Sequence, residues 1–200
     1  MAEKVTVETL LQRNRYTLSN APKLNIESPN PRKREYAISH QPLPLLAELK
    51  AMGLPAPRKD RILVITCADH RSVPEDFLRL QTRDAVLVMR NVCGHVEPIL
   101  TGILALDYFV KFSDILIIHH TDCGASHFKE ADIRAELKAR APGHAEVDTM
   151  EFGAINDIEQ SVRDDIRVLR ISPFIKKELA ERTVGFVYNL KTGLLYPVED

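Results

Sequence analysis

The 200-residue chain has no apolar stretch approaching the roughly 20 residues that a helical membrane crossing needs. Its first residues, Met1 to Leu11, lack the apolar core of a secretory leader, and Glu3 and Glu8 are out of place in a transit peptide. An intracellular, cytoplasmic protein is therefore expected, with no membrane partner. Charge of one sign is missing too: 27 Lys and Arg stand against 28 Asp and Glu, a formal net charge of -1. That balance gives no electrostatic reason to expect nucleic acid as a partner. The basic run Arg32-Lys33-Arg34 is too short to change this. Cysteine is scarce and odd in number, at Cys67, Cys93 and Cys123, which does not describe a disulfide framework. There is no internal repeat and no low-complexity tract. What is present is ordinary for a globular protein: 44% apolar and 28% charged residues. The length suffices for one domain with a sizeable core.

Two regions are distinguishable. Residues 1–60 read as an N-terminal helical arm that wraps a partner subunit or its own core rather than forming a domain. It holds a short helix over Val5 to Tyr16 and an Asn-, Pro- and Ser-rich extended stretch from Ser19 to Pro31. A second short helix over Pro44 to Met52 is broken by Gly53, Pro55 and Pro57. Residues 61–200 read as an α/β domain. Ile62 to Thr66, Ala85 to Met89 and Ile115 to Ile118 are short, β-branched, continuously apolar runs, the pattern of strands buried on both faces. Between the first two, Ser72-Val73-Pro74-Glu75 has the form of a capping box, with Ser72 as the cap. Between the second and third, Pro98 to Phe112 reads as a largely apolar helix. A long amphipathic helix then carries Ile155, Ile158, Val162, Ile166 and Leu169 on one stripe and stops at Ser172-Pro173. Val184 to Tyr188 and Leu194 to Tyr196, joined through Gly193, give a fourth strand and a hairpin onto an edge. Strands alternating with helices imply a mostly parallel central sheet of four to five strands flanked by helices.

In such a sheet, ligands bind beyond the carboxyl ends of the strands. Cys67 follows the first strand, and His120 and Cys123 follow the third. If those strands are neighbours, two thiolates and an imidazole converge on one crevice. Soft thiolate with imidazole favours Zn2+, one per chain, and three protein ligands leave a fourth position open for chemistry. A structural zinc site would draw four ligands from close Cys-x-x-Cys pairs, and none occurs here. Asp69 and Arg71 lie beside these residues. Alone they would be an ordinary ion pair; beside the donor set, an arginine-held carboxylate can orient an attacking hydroxide. Freed from the arginine, it can instead take the fourth position. His119 precedes His120 on a strand, should face the other way, and reads as a satisfied structural histidine. Cys93 reads as a small buried hydrophobe. His70, His95 and His127 are surface or capping residues before they are proton shuttles.

Cys67-x-Asp69-x-Arg71 followed by His120-x-x-Cys123-Gly124 resembles the signature of the β-class carbonic anhydrases. The resemblance runs from about Arg61 to the C-terminus. The His119-His120-Thr121-Asp122-Cys123-Gly124 run, the Arg90-Asn91 pair and the ending Ser172 to Ile175 with Gly185 to Tyr188 look closest to a compact subgroup. That subgroup includes hydrolases of carbonyl sulfide and carbon disulfide. The resemblance implies zinc on Cys67, His120 and Cys123, a catalytic Asp69–Arg71 dyad, and a substrate site shaped by the backbone at Gly124. It also implies hydration of carbon dioxide to bicarbonate by metal-bound hydroxide, and a homodimer or higher homo-oligomer. A hydrolase of the sulfur analogues and a catalytically silent zinc-binding dimer are the alternatives. Two departures stand out. Arg90-Asn91-Val92-Cys93 replaces the family's Arg-Asn-Ala-Gly, and Glu97 to Ile103, with Gly102, lacks the subgroup's acidic pair and Arg-Ser.

Overall fold

The structure, a computed structural model, describes residues 45–52, 61–80 and 85–199. The chain divides between residues 56 and 57. In the first unit, helix α1 (Leu46–Ala51) falls within the stretch expected to be helical, and Glu48 accepts a hydrogen bond from the Leu45 N–H at 2.6 Å. The rest of the expected arm, including the Val5 to Tyr16 helix and the basic run, lies outside the described residues.

The second unit is built on one sheet. Its strands are β1 (Arg61–Cys67), β2 (Val86–Asn91), β3 (Phe112–His120), β4 (Thr183–Asn189) and β5 (Leu194–Val198). Their order is β2-β1-β3-β4-β5, parallel except for the antiparallel β4–β5 hairpin. This is the α/β architecture the sequence implies. The two central strands carry the apolar runs. Leu63, Val64, Ile65, Ile115, Ile117 and Ile118 are all buried, each such side chain stabilising the fold by about 1.5–3 kcal/mol relative to exposure.

The crossovers correct the sequence reading in places. Between β1 and β2, helix α2 (Pro74–Phe77) is a single turn whose N-terminal cap is Val73, without a side-chain cap. Ser72 is fully buried instead, and its carbonyl accepts from Arg90 Nη2 at 2.7 Å. It belongs to a braced loop, so the expected capping box does not form. Between β2 and β3, a short 3-10 turn (Glu97–Ile99) leads into α3 (Leu100–Val110). The helix stops before Phe112 because Lys111 adopts a left-handed conformation, φ 60°, and Phe112 opens β3.

Three helices link β3 to β4: α4 (Glu130–Arg140), α5 (Ile158–Ile171) and α6 (Lys177–Glu181). Helix α5 is the expected amphipathic helix. Asp157 caps it by accepting from the Gln160 N–H at 3.0 Å, and Val162, Ile166 and Leu169 join the core against the sheet. Ile155 precedes the helix and packs instead with the three cysteines. Helix α4 escaped the sequence reading because it buries no residue and so carries no apolar stripe. Its acidic first turn and basic last turn suit the helix dipole.

Gly185 on β4 lies directly beneath α5. A Cβ there would come within 2.3 Å of Val162 Cγ1 and 2.9 Å of Ile166 Cδ1. Gly185→Ala is therefore expected to destabilise the chain by about 1–3 kcal/mol through overpacking, read as a lower denaturation midpoint in urea at unchanged slope.

Candidate metal centre

Strand β1 pairs with β2 on one side and β3 on the other, so the connection leaving the carboxyl end of β1 runs to β2 and the one leaving that of β3 runs the opposite way to β4. A crevice opens there, at the topological switch point. The register pairs Thr66 with Ile118, and Thr66 Oγ1 donates to the Ile118 carbonyl at 2.8 Å. Cys67 and His120 are thereby brought side by side at the strand ends. Cys123 follows on the next turn, its Sγ 3.8 Å from Cys67 Sγ. One donor atom from each of Cys67, His120 and Cys123 lies within 4.8 Å of the others, and all three residues are buried.

The imidazole is set for this cluster. His120 Nδ1 is 3.0 Å from the Thr121 carbonyl, which can only accept, so Nδ1 carries the hydrogen. Nε2 then presents a lone pair, is buried, and has no hydrogen-bond partner. A buried imidazole nitrogen without a partner, facing two thiols, is what a soft or borderline metal ion would satisfy. The donor set fits zinc.

Asp69 borders the cluster, with Oδ2 3.8 Å from His120 Nε2. Arg71 grips it through Nε, at 3.1 and 3.2 Å from the two carboxylate oxygens, and through Nη2 at 2.7 Å from Oδ2. The Arg71 side-chain hydrogen bonds hold this carboxyl well below the usual carboxylate range, against a smaller opposing effect of burial. Two residues not anticipated from the sequence complete the clamp. Asp122, at a left-handed φ of 55°, takes Arg71 Nη1 on its carboxylate and Nη2 on its carbonyl, both at 2.8 Å. Arg90 donates to the carbonyls of Cys67, Asp69 and Ser72 at 3.0, 2.7 and 2.7 Å, tying down the whole loop. Arg71 and Asp122 open onto a cavity of about 810 Å³ whose wall includes Thr121, Asn189 and Lys191.

The loop after β2 covers the cluster from the other side. Cys93 is buried, as expected, and its thiol donates to the Gly153 carbonyl at 3.1 Å. Its φ of 65° is left-handed, a conformation that glycine adopts freely and other residues at a cost. At the next residue, Gly94, a Cβ would sit 2.9 Å from Thr66 Cα and carbonyl carbon. A Cβ at Gly124, by contrast, would meet nothing within 4 Å. His70 and His127 are exposed, as expected, and His127 Nε2 bonds Asp122 at 2.9 Å. His95 departs from expectation. Rather than lying at the surface or capping a helix, it is half-buried, with Nδ1 2.9 Å from the Asp165 carboxylate. His119 is fully buried on the side facing α5, but it is not the satisfied histidine expected, because its Nε2 has no hydrogen-bond partner.

Comparison with known proteins agrees with this geometry. The family model for carbonic anhydrase matches residues 62–195. The chain belongs to the β-class carbonic anhydrase family. It is 24% identical over 145 residues to β-carbonic anhydrase 1 of Mycobacterium tuberculosis, a match spanning 72% of this chain and 86% of that protein. It is 26% identical over 163 residues to the carbon disulfide hydrolase of an Acidianus species, spanning 70% and 78%. Among solved structures, the carbonic anhydrase of Streptococcus mutans superposes with a TM-score of 0.62 at 29% identity, covering 76% of this chain and 92% of that one. Among the described residues no helix is long and apolar enough to cross a membrane.

The thiols make metal loading dependent on pH. In the metal-free chain Cys67 is pushed up to about 12, first by its hydrogen bond with Cys123 and then by burial. Cys67 works to lower Cys123, but Cys93 and burial outweigh it and leave that thiol raised as well. Both are protonated at neutral pH and must lose their protons to bind a metal. Zinc uptake is therefore expected to release about two protons and to tighten as pH rises. Calorimetric titration in buffers of different ionisation enthalpy reads that number directly, and uptake without proton release would contradict it.

Proposed function

We propose that this chain hydrates carbon dioxide to bicarbonate at a Zn2+ ion held by Cys67, His120 and Cys123. The observation that carries this reading is the convergence of those donors beside a carboxylate gripped through three Arg71 contacts. When bound, zinc lowers the pKa of a coordinated water from 15.7 to about 7, supplying the nucleophile at neutral pH.

The chain's own residues orient the rest. Asp69, kept ionised by Arg71, accepts a hydrogen bond from the attacking water and turns the oxygen lone pair toward the substrate carbon. Arg71 is itself held by Asp122, so the carboxylate is presented in one orientation. The open side of Gly124 leaves room for a small linear substrate. Assembly with a second copy belongs to this reading. Exposed apolar side chains such as Phe109, Ile171 and Phe174 supply surface for it.

Stopped-flow hydration of carbon dioxide by metal-quantified protein tests the proposal. Asp69→Asn is expected to lower kcat/KM by about 10²–10⁴-fold, the scale of a lost positioned acid–base group, with zinc content unchanged. Unchanged hydration in that variant would remove Asp69 from the mechanism. Sulfide release from carbonyl sulfide without hydration would move the activity to the sulfur analogues.

A further inference from the structure

A second convergence of donors lies on the far side of His120's neighbour. His119 Nε2 is 3.1 Å from Asp165 Oδ2 on helix α5, and His95 Nδ1 is 2.9 Å from the same oxygen. Asp165 and His119 are buried, and His95 is half-buried.

His95 has an acceptor at each ring nitrogen, the Asp165 carboxylate 2.9 Å from Nδ1 and the Gly153 carbonyl 3.3 Å from Nε2, and the hydrogen bond to Asp165 raises its pKa. Ser161 Oγ lies 2.6 Å from His119 Nδ1 and 3.1 Å from the Ile158 carbonyl, which fixes the outer edge of the His119 ring. His95 Nδ1 and His119 Nε2 both face the Asp165 carboxylate, which accepts from His95. His119 Nε2 has no hydrogen-bond partner, although the carboxylate oxygen is only 3.1 Å away. His120 Nε2 in the first centre has the same signature, a buried imidazole nitrogen without a hydrogen-bond partner.

We infer that His95, His119 and Asp165 form a second divalent-metal site, separate from the cysteine centre and built from two imidazoles and one carboxylate. Donors held about 2.0–2.2 Å from a common ion stand roughly 3.3 Å apart in tetrahedral geometry, close to the 2.9 and 3.1 Å spacings present. Nitrogen and oxygen donors without thiolate suit zinc and its first-row divalent neighbours. The remaining Asp165 oxygen is occupied, accepting from the Val96 N–H at 2.7 Å, which fixes the carboxylate. Access exists. A cavity of about 400 Å³ reaches His95 and Asp165, and its wall includes Glu97, Glu151 and Asp164, so the entry attracts cations.

Cobalt(II) titration of the metal-free full-length chain, followed by absorption and equilibrium dialysis, separates the two sites. Two equivalents are expected. One brings the intense thiolate-to-cobalt charge-transfer band, and the other adds only weak d–d absorption. In His95→Ala, the equivalent lacking the thiolate band should weaken by about 10–100-fold while the band itself persists. In the double variant Cys67→Ser, Cys123→Ser, the band should vanish and one equivalent remain. A single equivalent in the unaltered chain, or undiminished binding of two by His95→Ala, would overturn the second site. Two bands of thiolate character would do the same. Absence of any thiolate band would count against the first centre alone.

Discussion

Parallel pairing of β1 with β3, through the Thr66–Ile118 register, is the constraint on which the rest of the molecule depends. A parallel strand buried on both faces tolerates no slip, because one residue of shift would exchange its two faces. Cys67 and His120 therefore end adjacent strands, His120 one residue beyond the level of Cys67, beside the gap left where the crossovers diverge. The apolar strand interiors supply the stability, and the polar strand ends inherit their positions from it. Helix α5, packed through Val162 and Ile166 against the sheet with Gly185 beneath them, anchors the far side of the same strand end.

On that frame two arginines do different work. Arg90 binds three backbone carbonyls and shapes the loop from Cys67 to Ser72, whereas Arg71 binds two carboxylates along with the Asp122 carbonyl and sets the charge of Asp69. Planar guanidinium groups suit both tasks, since each presents several donors in a fixed fork. The loop after β2 closes the other side. Cys93 keeps a left-handed turn at an intrinsic cost of about 1–2 kcal/mol for a non-glycine residue. Burial of its side chain and the bond to Gly153 offset that cost, and the residue places a third thiol beside the cluster.

Much of this was legible in the sequence because it rests on local pattern. Continuous β-branched runs marked the central strands, and the cysteines and His120 fell just beyond their ends. The stripe along α5 and the Gly193 hairpin were equally plain. What escaped depended on contacts between distant residues. Arg90 could be quoted but not assigned a role, because its partners are carbonyls, which carry no side-chain signal. Ser72 had the form of a cap and was drawn instead into the loop that Arg90 braces. Helix α4 lacks an apolar face. Asp165 did leave a signal that went unread: it sits three residues after Val162 and four before Leu169, inside the apolar stripe. A carboxylate in that position needs a buried partner, and His95 and His119 are there.

The central claim is that Cys67, Cys123 and His120 bind one zinc ion together. X-ray absorption at the zinc edge, on chain loaded with a single equivalent, tests it most directly. The account predicts two sulfur neighbours at about 2.3 Å and one imidazole nitrogen at about 2.0–2.1 Å, with a further light atom completing four-coordination. A shell of nitrogen and oxygen alone would contradict it, because the tightest site would then exclude the thiolates on which the whole reading rests.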